Sequence, residues 1–142
     1  MEVKEISPKE SYERLKNDNC ALIDVRTDAE FVFVGQVDLA NIGGKSAIIP
    51  WKIFPAMSLN PRFQINLEKE LQKFFPDQDA KDLELIFMCR SGARSFEAAA
   101  YLSQLGYKNC YNLTNGFEGD ANDKGHRSTI NGWKAENLPW KQ

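Results

Sequence analysis

The stretch Leu85-Ile86-Phe87-Met88-Cys89-Arg90-Ser91-Gly92-Ala93-Arg94-Ser95-Phe96-Glu97-Ala98-Ala99-Ala100-Tyr101-Leu102 carries more information than the rest of the chain. It opens on an unbroken apolar run, as a strand buried on both faces requires. It closes on a helical pattern that Gly106 ends. Between the two lies a short loop with one cysteine, one glycine and two arginines. A cysteine at a strand's end, followed at once by a helix N-terminus, builds an anion cradle under a sulfur nucleophile. Backbone N–H groups of the loop and the first helical turn converge on the sulfur. The helix dipole and the two guanidiniums then favour thiolate over thiol. Cys89 is therefore the expected nucleophile. Gly92 lets the loop turn tightly and the backbone approach an anion. Arg90 and Arg94 supply charge, and Ser91 and Ala93 complete the cradle. Ser95 is read as the helix cap, with its hydroxyl within reach of the sulfur. Arg94 is expected over the pocket and Arg90 towards its solvated rim.

Outward from this stretch, strands and helices alternate. Val3 to Ile6 reads as a first strand. Ser7-Pro8-Lys9-Glu10 then joins an N-cap serine, a proline at the first helical position and a glutamate three residues after the cap. That helix should end near Asn17 or Asp18. Ala21 to Val25 is a second, central strand. Thr27 with Glu30 repeats the capping-box spacing and opens a short helix ending at Gly35. Leu39 to Ile42 and Ala47 to Ile49 are short strand candidates, and residues 50–61 are irregular. A helix is expected from about Asn66 to Phe75, with Leu67, Leu71, Phe74 and Phe75 on one face and Pro76 as its stop. Asn109 to Leu113 is the last strand. The segment 115–142 is rich in glycine and polar residues. It still holds Phe117, Trp133, Leu138 and Trp140, so it is expected to fold back on the domain. The alternation implies an α/β fold, a parallel sheet with helices on both faces. Ligands of such folds sit beyond the carboxyl ends of the strands, the edge that the Cys89 loop occupies.

At 142 residues the chain fits a single domain, and 42% hydrophobic with 27% charged residues is ordinary for a globular protein. A net charge of −2 gives no reason to expect nucleic acid or a membrane surface as partner. The Cys89 loop, with two positive charges and no negative one, points instead to a small anionic ligand. No apolar stretch approaches a membrane span, and Met1 to Glu5 lacks a signal peptide's apolar segment, so a cytoplasmic location is expected. Cys20, Cys89 and Cys110 show no CxxC spacing, which suggests neither a disulfide framework nor a metal site. Cys20 and Cys110 read as small buried hydrophobes. Asp24 and Arg26 end the other central strand on the same edge and read as a buried ion pair supporting the site. Glu30 reads as a helix cap. His126, the one histidine, lies far from Cys89 in the polar tail and does not suggest a Cys-His dyad.

Three segments together resemble the rhodanese family of sulfurtransferases. Ile23-Asp24-Val25-Arg26-Thr27-Asp28-Ala29-Glu30-Phe31 is similar to the family's early strand-turn-helix signature, and Cys89 to Ser95 to its active-site loop. Tyr111-Asn112-Leu113-Thr114-Asn115-Gly116-Phe117, with Gly132-Trp133 and Leu138-Pro139-Trp140, resembles its C-terminal signature. The resemblance spans most of the chain, and it implies a five-stranded parallel sheet with helices on both faces. It also implies transfer of sulfane sulfur from thiosulfate or a related donor, through a Cys89 persulfide, to cyanide or a thiol, a protein thiol included. No metal or organic cofactor is implied. Two features depart from the family pattern. Gly35-Gln36-Val37 stands where many relatives have Gly-His-Ile, and the stretch from Gly43 to Trp51 is longer than usual.

Two alternatives belong to other classes. Cys-loop phosphatases and arsenate reductases on the same fold separate cysteine and arginine by five positions, whereas four residues lie between Cys89 and Arg94. Non-catalytic interaction modules of the family usually lose the cysteine, which this chain keeps. The physiological donor, the acceptor and the oligomeric state are not encoded in any motif.

Overall fold

The computed structural model describes residues 2–142. Five parallel strands form the sheet: β1 (Lys4–Ile6), β2 (Cys20–Asp24), β4 (Lys45–Ile48), β7 (Glu84–Met88) and β8 (Asn109–Leu113), in the order β1-β8-β7-β2-β4. Two small antiparallel pairs stand apart. β3 (Gln36–Val37) pairs with β9 (Trp140–Lys141), and β5 (Lys52–Ile53) pairs with β6 (Ser58–Leu59) in the irregular stretch. The helices are α1 (Pro8–Arg14), α2 (Asp28–Phe33), α3 (Phe63–Phe74) and α4 (Ala93–Gln104).

The strand alternation explains why the sheet must be covered twice. On β2 and β7, Ala21, Ile23, Leu85 and Phe87 face one layer, where Phe63, Leu67 and Leu71 of α3 and Ala98, Ala99 and Leu102 of α4 close the core. Cys20, Leu22, Ile86 and Met88 face the other, where they meet Leu15, Phe117 and Trp133. That second layer is built by α1, whose Tyr12 meets Trp133 edge-on with ring centroids 5.9 Å apart, by Val37 and Leu39, and by the C-terminal segment. The segment 115–142 lies against the domain and is tied there by several contacts. Val37 and Trp140 are in register across β3 and β9, Trp133 donates from Nε1 to the Pro139 carbonyl at 2.7 Å, and Lys134 donates to the Val34 carbonyl at 2.8 Å.

Four departures from the expected element boundaries bear on the packing and the site. Residues 40–42 form a 3-10 turn, not a strand, because Gly43 ends it in the left-handed region at φ 62° and breaks any extended pairing. α1 stops at Arg14, with Leu15 as its C-cap. α3 begins at Phe63 rather than near Asn66, and Phe63 is buried beneath Trp51 with ring centroids 5.0 Å apart. α4 starts at Ala93 with Gly92 as its N-cap, so Ser95 is the third helical residue and not the cap.

Candidate active site

Cys89 immediately follows β7, the middle strand of the five, and the chain turns at once into α4. Residues 116–119 fix that turn from behind. Phe117 donates its N–H to the Cys89 carbonyl at 2.8 Å, and Glu118 and Gly119 donate theirs to the Arg90 carbonyl at 2.9 and 3.1 Å. A trans peptide places its N–H opposite its C=O. Anchoring those two carbonyls outward therefore turns the N–H groups of Arg90 and Ser91 to the other side of the loop. Gly116 makes the close approach possible: a Cβ there would lie 2.4 Å from the Cys89 carbonyl oxygen, and its φ is +63°.

The sulfur itself accepts the Gly92 N–H at 3.1 Å, and the Ser95 Oγ lies 3.2 Å away. Gly92 holds φ +117°, a conformation that favours glycine at this turn. Among the described residues, the N–H groups of Arg90, Ser91, Ala93, Arg94 and Ser95 have no protein acceptor. This is the unsatisfied first turn of a helix merged with a loop whose carbonyls are tied back. An anion drawn to it would meet N–H groups and the positive end of the α4 dipole.

The two arginines behave differently from each other. Arg94 donates from Nη1 and Nη2 to both oxygens of Glu30 at 2.7 and 2.9 Å. Its guanidinium is thus held in a bidentate pair rather than free over the pocket. The physical reason is that Glu30, which also completes the capping box with Thr27, presents both its oxygens within reach. Burial raises the Glu30 carboxyl, but hydrogen bonds and the charge of Arg94 overcome this and hold it down at about 2. The hydrogen bond to Glu30, against the opposing effect of burial, raises Arg94 above its ordinary value. Arg90 is exposed, and its guanidinium has no partner among the described residues.

Asp24 and Arg26 lie behind the site, both buried. Arg26 donates to Asp24 from Nε at 2.9 Å and from Nη2 at 2.7 Å, and Nη2 also reaches the Gly35 carbonyl at 2.8 Å. Its guanidinium carbon sits 4.4 Å from the centre of the Phe117 ring. Phe117 in turn holds the Cys89 carbonyl, so the ion pair supports the loop through that ring. Burial pushes the Cys110 thiol up to about 11 and the Cys20 thiol to about 12, which leaves both as inert thiols. His126 lies exposed in the tail, where its backbone N–H caps the Asn122 side chain at 2.9 Å.

One residue pair escaped the sequence reading. Asn112 on β8 touches Ser95, Gly92 and Glu5. A polar residue between buried Tyr111 and Leu113 was the available signal. Glu5, on the edge strand β1, gave none.

Comparison with known proteins places the chain among its relatives. Residues 7–123 match the Rhodanese-like domain family. An uncharacterised protein of Rickettsia prowazekii (strain Madrid E) is 37% identical over 142 residues, which cover 99% of each chain. A Bacillus subtilis (strain 168) protein provisionally named a sulfurtransferase is 31% identical over 109 residues, 76% of this chain and 82% of its own. The crystal structure of Rv0390 from M. tuberculosis superposes with a TM-score of 0.86 at 34% identity, covering 100% of this chain and 99% of that one. With its five-stranded parallel sheet and the loop at the end of the middle strand, the chain belongs to the rhodanese-like domain family.

Proposed function

We propose that the protein is a sulfurtransferase that carries sulfane sulfur on Cys89. The observation that carries this reading is the cradle of uncommitted N–H groups around a sulfur that already accepts one of them, from Gly92. The Cys89 thiolate attacks the outer sulfur of thiosulfate or a related anionic donor. The donor's S–S bond breaks, and sulfite leaves with the bonding electron pair. The terminal sulfur of the resulting persulfide bears the negative charge, which the N–H groups of the cradle stabilise. A second nucleophile, cyanide or a thiol, then takes that sulfur and returns Cys89 as the thiolate. Arg90 is free to draw anionic donors towards the loop, while Arg94, paired with Glu30, shapes the turn into α4. Asp24 and Arg26 support the loop from behind. Ser91, Gly92, Ala93 and Ser95 form the wall that faces the transferred sulfur. The name borne by the Bacillus subtilis relative favours the same chemistry. The four residues between Cys89 and Arg94 favour sulfur over phosphate, since a shorter loop encloses a smaller group.

Intact mass after incubation with thiosulfate tests the reading. One added sulfur on the Cys89 peptide, absent in Cys89→Ser, together with cyanide-dependent thiocyanate formation, is the expected result. Cys89-dependent hydrolysis of aryl phosphates without sulfur transfer would overturn it.

A further inference from the structure

A line of polar contacts leads from the protein surface to the nucleophile. Glu5, exposed on β1, accepts from Thr114 Oγ1 at 2.9 Å and from Asn112 Nδ2 at 3.2 and 3.1 Å on its two oxygens. The same Asn112 nitrogen donates to the Gly92 carbonyl at 3.2 Å. Asn112 Oδ1 lies 2.5 Å from Ser95 Oγ, and Ser95 Oγ lies 3.2 Å from Cys89 Sγ. Asn112, Ser95 and Cys89 are all buried.

The chemistry of these groups fixes where the protons go. A flipped Asn112 would set its oxygen against both carboxylate oxygens of Glu5 and the Gly92 carbonyl, with no proton among them. Both amide N–H groups of Asn112 therefore point to Glu5 and Gly92, and its oxygen faces Ser95. Neither that oxygen nor the Gly92 carbonyl, 3.2 Å from Ser95 Oγ, has a proton to give, so the single hydroxyl proton of Ser95 lies on one of these two contacts, of which the one to Asn112 is the shorter. What Ser95 turns towards the sulfur is a lone pair.

We propose that Glu5 and Asn112 are positioning residues that aim the Ser95 proton away from Cys89, so that Ser95 accepts from the resting thiol and withholds a hydrogen bond from a thiolate. The loop N–H groups pull the other way, so the resting sulfur is held between two opposed influences. The persulfide escapes this restraint. Its inner sulfur bears no proton and its charge lies on the terminal sulfur, among the N–H groups of the cradle. The network thus discriminates between a bare thiolate, which any electrophile or oxidant can attack, and the sulfur-loaded form.

The inference rests on Cys89 being the nucleophile of the reading above, but its test uses alkylation and not sulfur transfer. Iodoacetamide modification of Cys89 is followed at neutral pH by mass, beside the ultraviolet absorbance of the thiolate. Glu5→Lys replaces both carboxylate contacts of Asn112 with a cation and favours its flipped amide over the single opposing contact with the Gly92 carbonyl; the amide then donates to Ser95, whose hydroxyl proton is left to the sulfur and the Gly92 carbonyl. Its expected effect is about a tenfold faster alkylation with a matching rise in thiolate absorbance. Glu5→Gln keeps an acceptor for Asn112 and should stay within about twofold of wild type, although it too removes the charge. In a Ser95→Ala background, Glu5→Lys should have no effect. Equal acceleration with and without Ser95 would show a field effect of charge alone and overturn the proposal, as would an unchanged rate in Glu5→Lys. Whether thiosulfate adds a sulfur is scored separately, so failure of sulfur transfer and failure of the network are distinct results.

Discussion

Replacing Glu30 with Gln isolates the charge that holds Arg94. Gln at the third helical position still reaches back to the Thr27 N–H, so the α2 cap survives. What goes is the negative half of a pair whose side chains are only 15% (Arg94) and 21% (Glu30) exposed. A carboxyl held at about 2 against its ordinary 4.5 contributes about 3 kcal/mol to folding at neutral pH. Because the folded value is the lower one, this contribution is complete above the unfolded value. It fades as pH falls through about 2, below which both states bind the proton. Glu30→Gln should therefore unfold about 2–3 kcal/mol more easily at neutral pH, a drop of roughly 5–10 °C in Tm. The gap between variant and wild type should narrow steadily from about pH 5 to about pH 2. Urea denaturation across that range measures it, with Arg94→Ala and the double variant completing a cycle. The double variant should be less destabilised than the sum of the two single ones, since the lone arginine in Glu30→Gln is an unpaired cation. Parallel loss of stability by wild type and Glu30→Gln between pH 5 and 2 would refute the reasoning.

Gly116→Ala should be strongly damaging. The added carbon would stand 2.4 Å from the Cys89 carbonyl oxygen and 2.6 Å from the Arg90 carbonyl carbon, both backbone, at a positive φ. The left-handed strain and the loosened 117–119 contacts together predict a loss of about 3–5 kcal/mol in urea titrations and a fall in persulfide formation. Wild-type stability with wild-type activity would contradict the clamp. Arg90→Ala should raise the KM for thiosulfate severalfold with kcat little changed, and the difference should shrink in high salt, because an exposed cation acts through a screened field. A salt-independent loss in kcat would place Arg90 in direct contact with the reacting sulfur.

The layered sheet was legible because β2 and β7 are apolar on both alternating faces, which only a doubly covered parallel strand tolerates. The loop from β7 into α4 was legible because cysteine, glycine and helix start are adjacent in the chain. The start of α4 was misplaced because Ser95 has a capping side chain and Gly92 has none. Backbone conformation decided it, and a glycine's φ leaves no mark on a one-dimensional pattern. The partner of Arg94 was missed for another reason. Glu30 is 64 residues away, and its local role as a cap already accounted for its presence. Glu5 and Asn112 are separated by 107 residues and meet because β1 and β8 pair at the sheet's edge. Contacts of this kind depend on strand order, which periodicity does not reveal.

The clamp on Cys89 also imposes an order of assembly. Cys89 and the start of α4 are synthesised first, yet Phe117, Glu118 and Gly119, which aim the loop's carbonyls outward, come later in the chain. Behind them, Trp133 must seat in the second layer and Trp140 must pair beside Val37 before that face of the sheet is closed. During synthesis Cys89 is thus an ordinary cysteine on an unfinished domain. The reactivity proposed for it waits on residues downstream that perform no chemistry, and comes only once the chain beyond it has folded back.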